Sequence, residues 1–136
     1  MRNDLFLKSD VAKNLYDAVR DLPIVDYHCH LSPKEILEDR EFPDIAQIWL
    51  GGDHYKWRLM RANGVDERFI TGDAPAREKF QKWAETLGRC VGNPVFEWSH
   101  LELKRYFGYE GVLNGKTAQE VWDLANAKLA EASFTC

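Results

Sequence analysis

Along most of this chain apolar residues recur every three or four positions, and one short stretch breaks that rhythm. In residues 10–20, Val11, Leu15 and Val19 fall four apart, which places them on one helical face. Pro23 ends the pattern, and Ile24-Val25 begin a β-prone run to about Leu31, the single predicted strand. "SPKE" at 32–35 reads as a capping box: Ser32 as N-cap, Pro33 at the first helical position and Glu35 reaching back, with a short helix to about Glu38. Asp44 can cap a helix over "IAQIWL", closed by Gly51-Gly52, and Asp53 can cap one over "HYKWRLMRAN" that stops at Gly64. Asp73 and Pro75 open a longer helix through about Arg89. In 94–108 the spacing of Phe96, Leu101, Leu103 and Phe107 favours helix over strand, and "TAQE" at 117–120 is a second capping box, opening a helix to about Glu131. The pattern predicts a mainly α chain of about seven helices and one strand. A lone strand cannot satisfy its own backbone groups, so its neighbour is expected in another chain or in a part of a larger protein, and this sequence is expected to be a piece of one.

Composition narrows the function classes. Hydrophobic residues make up 45% and charged residues 29%, the balance of a globular protein. A net charge of −4 gives no electrostatic footprint for nucleic acid or an anionic membrane. No apolar run approaches the roughly 20 residues of a membrane span. The three cysteines, odd in number and widely spaced, argue against a disulfide framework and for a reducing compartment, the cytoplasm.

The candidate chemistry begins at "DYHCHL", residues 26–31. In a strand, i and i+2 share a face, so His28 and His30 would project together, about 7 Å apart by the rise per residue. Two neutral imidazoles at a strand end can hold a divalent metal. Asp26 lies on the same face and could orient one of them, while Cys29 points away. The competing reading is two histidines that meet solvent or satisfy local backbone groups. Two ligands are in any case half a site, since catalytic metals usually have three protein ligands and an open position. The five tryptophans (Trp49, Trp57, Trp83, Trp98 and Trp122) fall on apolar helical faces and are expected in the core. His100 reads as an ordinary helical histidine.

Four stretches carry a resemblance: "LPIVDYHCHLSPKEI", "IWLGGDHYKWRLMRANGVDERFITGDA", "HLELKRYFG" and "TAQEVWDLANAKLAE". In order and spacing they resemble the N-terminal region of the uronate (glucuronate) isomerases, within the amidohydrolase superfamily. The resemblance implies a much longer parent folded as a (β/α)₈ barrel, a fold that typically takes about 250 residues. Residues 1–31 would supply an N-terminal helix and the first barrel strand, and 32–136 the helical insertion after it. It implies an aldose–ketose isomerase that interconverts glucuronate with fructuronate, and galacturonate with tagaturonate, by proton transfer between C1 and C2. It implies His28 and His30 as ligands of a divalent metal, zinc among the candidates, with further ligands outside this chain. His54 and Tyr55 would lie beside a hexuronate substrate, Tyr55 as a catalytic residue. A helix N-terminus favours an anion there. Arg58, three residues after Tyr55, shares its face and could reach the substrate carboxylate, the competing role being a solvated cation. The chain alone is expected to be inactive, to bind metal weakly or not at all, and to form a homo-oligomer. The alternative is a non-catalytic helical module for binding or assembly. A hydrolytic amidohydrolase ranks last.

Overall fold

Seven α-helices and one 3₁₀ turn make up the regular structure in a computed structural model that describes residues 7–28 and 32–132. In chain order they are α1 (Asp10–Val19), α2 (Pro33–Glu38), α3 (Ile45–Leu50), α4 (His54–Ala62), the 3₁₀ turn Glu67–Phe69, α5 (Ala76–Leu87), α6 (Pro94–Phe107) and α7 (Ala118–Ala132). The chain is mainly α, and each predicted helix is present.

The core is built around α5, which packs against α3, α4 and α7, while α6 packs on α7. Phe80, Trp83, Ala84 and Leu87 form its buried stripe, at helical spacing. Trp49 and Trp122 close on Phe80 from α3 and α7, with ring centroids 6.1 and 5.5 Å away. Truncating a buried aromatic of this kind typically costs about 3–5 kcal/mol. A long-range polar bond fixes the start of α3: the Ile45 backbone N–H donates to Asn126 Oδ1 of α7 at 3.0 Å, satisfying one of the donors a helix N-terminus leaves open.

The N-terminal part is organised differently. Ser9 caps α1, accepting from the Ala12 N–H at 3.1 Å, yet no residue of α1 is buried. Its stripe of Val11, Leu15 and Val19 is exposed, and so are Ile24, Val25 and Tyr27. The predicted strand does not form among the described residues: 23–28 carry no regular secondary structure. None of the described residues supplies a ladder, and Asp26 Oδ1 takes the His28 backbone N–H at 3.0 Å, a local bond that competes with pairing. The rest of that run, Cys29, His30 and Leu31, lies outside the described residues.

Two expected caps are also corrected. Ser32 holds the N-cap position of α2 but makes no side-chain cap bond. Pro75 opens α5 as expected, at its N-cap position. The Thr117 hydroxyl turns away from α7, donating to the Val112 carbonyl at 2.8 Å and accepting from the Asn114 N–H at 2.9 Å. The aspartate caps hold, with Asp44 accepting from the Gln47 N–H at 2.8 Å.

Candidate functional site

The segment from α3 to α4 reverses over Gly51, Gly52 and Asp53. A Cβ on Gly51 would lie 2.5 Å from the Gln47 carbonyl oxygen, so only glycine permits this approach. Asp53 then caps α4, its Oδ1 accepting the backbone N–H groups of Tyr55 at 2.9 Å and Lys56 at 3.1 Å. The Lys56 ammonium pairs with Asp53 Oδ2. Burial pushes the Asp53 carboxyl up, but its bonds to the Lys56 ammonium and to both backbone donors, with the lysine charge, outweigh burial and hold its pKa below the ordinary value. Trp57 locks the turn from below, its Nε1–H donating to the Leu50 carbonyl at 2.7 Å.

That turn presents His54 and Tyr55. Their rings lie 4.4 Å apart between centroids, tilted by 31°, and both residues are exposed. The Arg58 guanidinium sits 5.7 Å from the Tyr55 ring centroid, within cation–π range. The structure therefore brings His54, Tyr55 and Arg58 together. Two open clefts adjoin His54 and Tyr55, and Arg58 lines neither of them. One, of about 450 Å³, is lined by Glu35, Phe42, Gln47 and Ile48 with the turn itself. The other, of about 500 Å³, runs between the turn and α6, where Asn93, Trp98 and Glu102 face Tyr55 and Lys56. Tyr55 and Asp53 line both.

His28 is exposed at the end of 23–28, and its expected partner His30 lies outside the described residues. Among the described residues no three His, Cys, Asp or Glu side chains converge as a metal site. His28 is thus the described half of the expected pair, and Asp26 Oδ1 accepts its backbone N–H.

Sequence reasoning missed three contributors to this region. Trp98, expected in the core, is 58% exposed and lines the second cleft. Its helix α6 buries Ser99, His100, Leu103 and Phe107, a stripe that leaves Trp98 out. Lys56 was legible as an i,i+3 partner of Asp53. Glu102 left no sequence signal, because its burial depends on packing: burial raises its pKa, against the lowering effect of Lys56 and of a hydrogen bond from Trp49, with Asp53 pushing it up further. No helix among the described residues is long and apolar enough to cross a membrane.

The model of the family described as Glucuronate isomerase matches residues 1–136. The uronate isomerase of Lachnospira eligens is 62% identical over 99% of this chain, and that of Bacillus subtilis 50% identical over 98%. This chain spans only 29% and 28% of their respective lengths. Among solved structures, the fold follows the N-terminal part of the uronate isomerase of Thermotoga maritima, with a TM-score of 0.92 and 41% identity over 99% of this chain and 30% of that one. The glucuronate isomerase of Caulobacter crescentus superposes with a TM-score of 0.83 at 27% identity, over 90% of this chain and 27% of that one. With a family model matched along its whole length and these relatives beside it, this chain belongs to the glucuronate isomerase (uronate isomerase) family.

Proposed function

We propose that this chain supplies one wall of the active site of a hexuronate aldose–ketose isomerase that interconverts glucuronate with fructuronate and galacturonate with tagaturonate. The observation that carries the proposal is the juxtaposition of His54, Tyr55 and Arg58 on the first turns of one capped helix, with Tyr55 lining two open clefts. Moving a proton between C2 and C1 of an open-chain sugar needs a group that exchanges the proton and donors to the oxygens. In this reading the Tyr55 hydroxyl and the His54 imidazole meet the sugar oxygens. Arg58 reaches the uronate carboxylate across the Tyr55 ring, and the N-terminal end of α4 favours that negative charge.

His28 and His30 are proposed as two ligands of a divalent metal, zinc among the candidates, whose remaining ligands come from the rest of a (β/α)₈ barrel. A metal held there would supply Lewis-acid polarisation of substrate oxygens. The division at residue 31 between barrel elements and a helical insertion, a cytoplasmic setting, and self-association through the exposed apolar side chains of residues 11–27 and of Ile36 and Leu37 belong to the same proposal. Alone, the chain is inactive. The test is a segment exchange: residues 1–136 replace the matching part of the Lachnospira eligens enzyme, and ketose formation from glucuronate is followed. The hybrid isomerises glucuronate, and the isolated chain does not.

A further inference from the structure

The segment "LGGDHYKW", residues 50–57, is closed at both ends by Trp57. The Trp57 backbone N–H donates to the Asp53 carbonyl at 3.2 Å, an ordinary bond in the first turn of α4. Its indole Nε1–H reaches back over the whole turn to the Leu50 carbonyl at 2.7 Å. Leu50 is the last residue of α3, so its carbonyl has no partner inside that helix. The two bonds bracket the turn that carries Gly51, Gly52 and Asp53 and delivers His54 and Tyr55. The far anchor is well fixed: Leu50 is buried in the core with Ile45, Ala46 and Trp49 of the same helix. Trp57 packs against that core as well.

The other bonds of the turn do a different job. Asp53 orders the first turn of α4 from within, through the Tyr55 and Lys56 N–H groups and the Lys56 ammonium, and none of these bonds reaches α3. An added Cβ at Gly52 would meet no atom within 4 Å, so side-chain packing does not restrain the turn there. The cap therefore sets how His54 and Tyr55 stand on α4, and the indole sets where α4 starts relative to α3. The first cleft is lined from both sides of that joint, by Gln47 and Ile48 of α3 and by His54 and Tyr55 of α4. We infer that Trp57 is a positioning residue: the hydrogen bond from its indole to the Leu50 carbonyl fixes His54 and Tyr55 against α3 across the first cleft. Trp57 lines neither cleft, so it acts through the turn and not on a ligand. That the turn faces substrate rests on the proposed function; the hold on the turn does not.

Two replacements separate the hydrogen bond from the packing. Trp57→Phe removes the indole N–H and shrinks the ring. Benzothienylalanine at position 57 keeps the bicyclic shape and puts sulfur in place of the N–H, so it decides the matter if the phenylalanine variant does not fold. In the 136-residue chain labelled with ¹³C and ¹⁵N, the ring signals of His54 and Tyr55 are followed without substrate. The benzothienyl variant is expected to shift or broaden both, while the Leu113 backbone N–H, held by His100, keeps its position and reports an intact fold. His54 and Tyr55 signals that stay in place would overturn the inference. In the hybrid enzyme the same replacement is expected to lower kcat for glucuronate by about tenfold to 10²-fold, the scale of a small misplacement transmitted from outside the site, with KM nearly unchanged. A lowered melting temperature with an unchanged kcat would show a packing role alone and would also overturn it. Were the unsubstituted hybrid inactive, the proposed function would fall, and the ring signals would still decide whether Trp57 holds the turn.

Discussion

Nε2 of His100 accepts the Leu113 backbone N–H at 2.9 Å, while its Nδ1 lies 2.6 Å from the Phe96 carbonyl oxygen. Because Leu113 N–H must donate, Nε2 is the acceptor and Nδ1 carries the proton toward Phe96. The imidazole is 2% exposed and its ring sits 4.3 Å from that of Phe96. One histidine thus supplies the backbone partner that the loop after α6 would otherwise lack. His100→Phe keeps the ring and removes both polar atoms, leaving Leu113 N–H buried without an acceptor. The expected loss is about 1–3 kcal/mol, read from urea unfolding; an unchanged midpoint would refute the role.

Asp53 carries both the α4 cap and the Lys56 pair. Asp53→Ala removes both and is expected to cost about 1–2 kcal/mol. Asp53→Asn keeps the cap oxygen and loses the charge, so it costs less. The folded pKa of Asp53 is lowered. Its contribution is therefore fully present above the ordinary carboxylate value and is lost as pH falls through the folded one. Glu102 has the opposite sign, its raised pKa making stability fall as pH rises across the gap between its unfolded and folded values. Thermal melts against pH should show a shallower acid limb in Asp53→Asn, and an identical limb would contradict the assignment.

Two imidazoles leave most of a coordination shell to water, whereas structural zinc sites usually have four protein ligands. Calorimetric titration of the chain with zinc should give at most weak binding. Submicromolar affinity abolished by His28→Ala with His30→Ala would show instead that a complete site forms, within one chain or between two.

Most of the exposed large apolar side chains among the described residues lie in the N-terminal part. Ile24 is 93% exposed, Val25 86% and Leu37 86%. Such surfaces favour association. In analytical ultracentrifugation the average mass should rise with concentration, and Ile24→Ser with Val25→Ser should move it back toward the monomer. A monomer at every concentration would refute self-association.

The helices were legible because each carries an apolar stripe at helical spacing, and Asp44 and Asp53 announced two starts correctly. Ser32 and Thr117 carried the same signal and were misread. A hydroxyl chooses its acceptor from what tertiary packing offers, and Thr117 found Val112 and Asn114 instead. Trp98 was misplaced because an apolar residue near a buried stripe need not belong to it. The grouping of His54, Tyr55 and Arg58 could be read, since residues three and four apart share a helical face. Glu102 could not, because its burial and its place in the second cleft depend on how α6 packs. The strand from Ile24 to about Leu31 was read from β propensity, which has no effect over its described part, 24–28, without a partner to complete the ladder.

The central claim is that Tyr55 acts on a hexuronate. It is tested most directly in the hybrid enzyme carrying residues 1–136 in place of the matching segment of the Lachnospira eligens relative. Tyr55→Phe removes one oxygen while keeping the ring that stacks on His54 and Arg58. The account predicts that kcat for glucuronate isomerisation falls by about 10²–10⁴-fold, the range for loss of a positioned proton-transfer group, with the melting temperature unchanged. A Tyr55→Phe hybrid that isomerises glucuronate at the rate of the unsubstituted hybrid would contradict it.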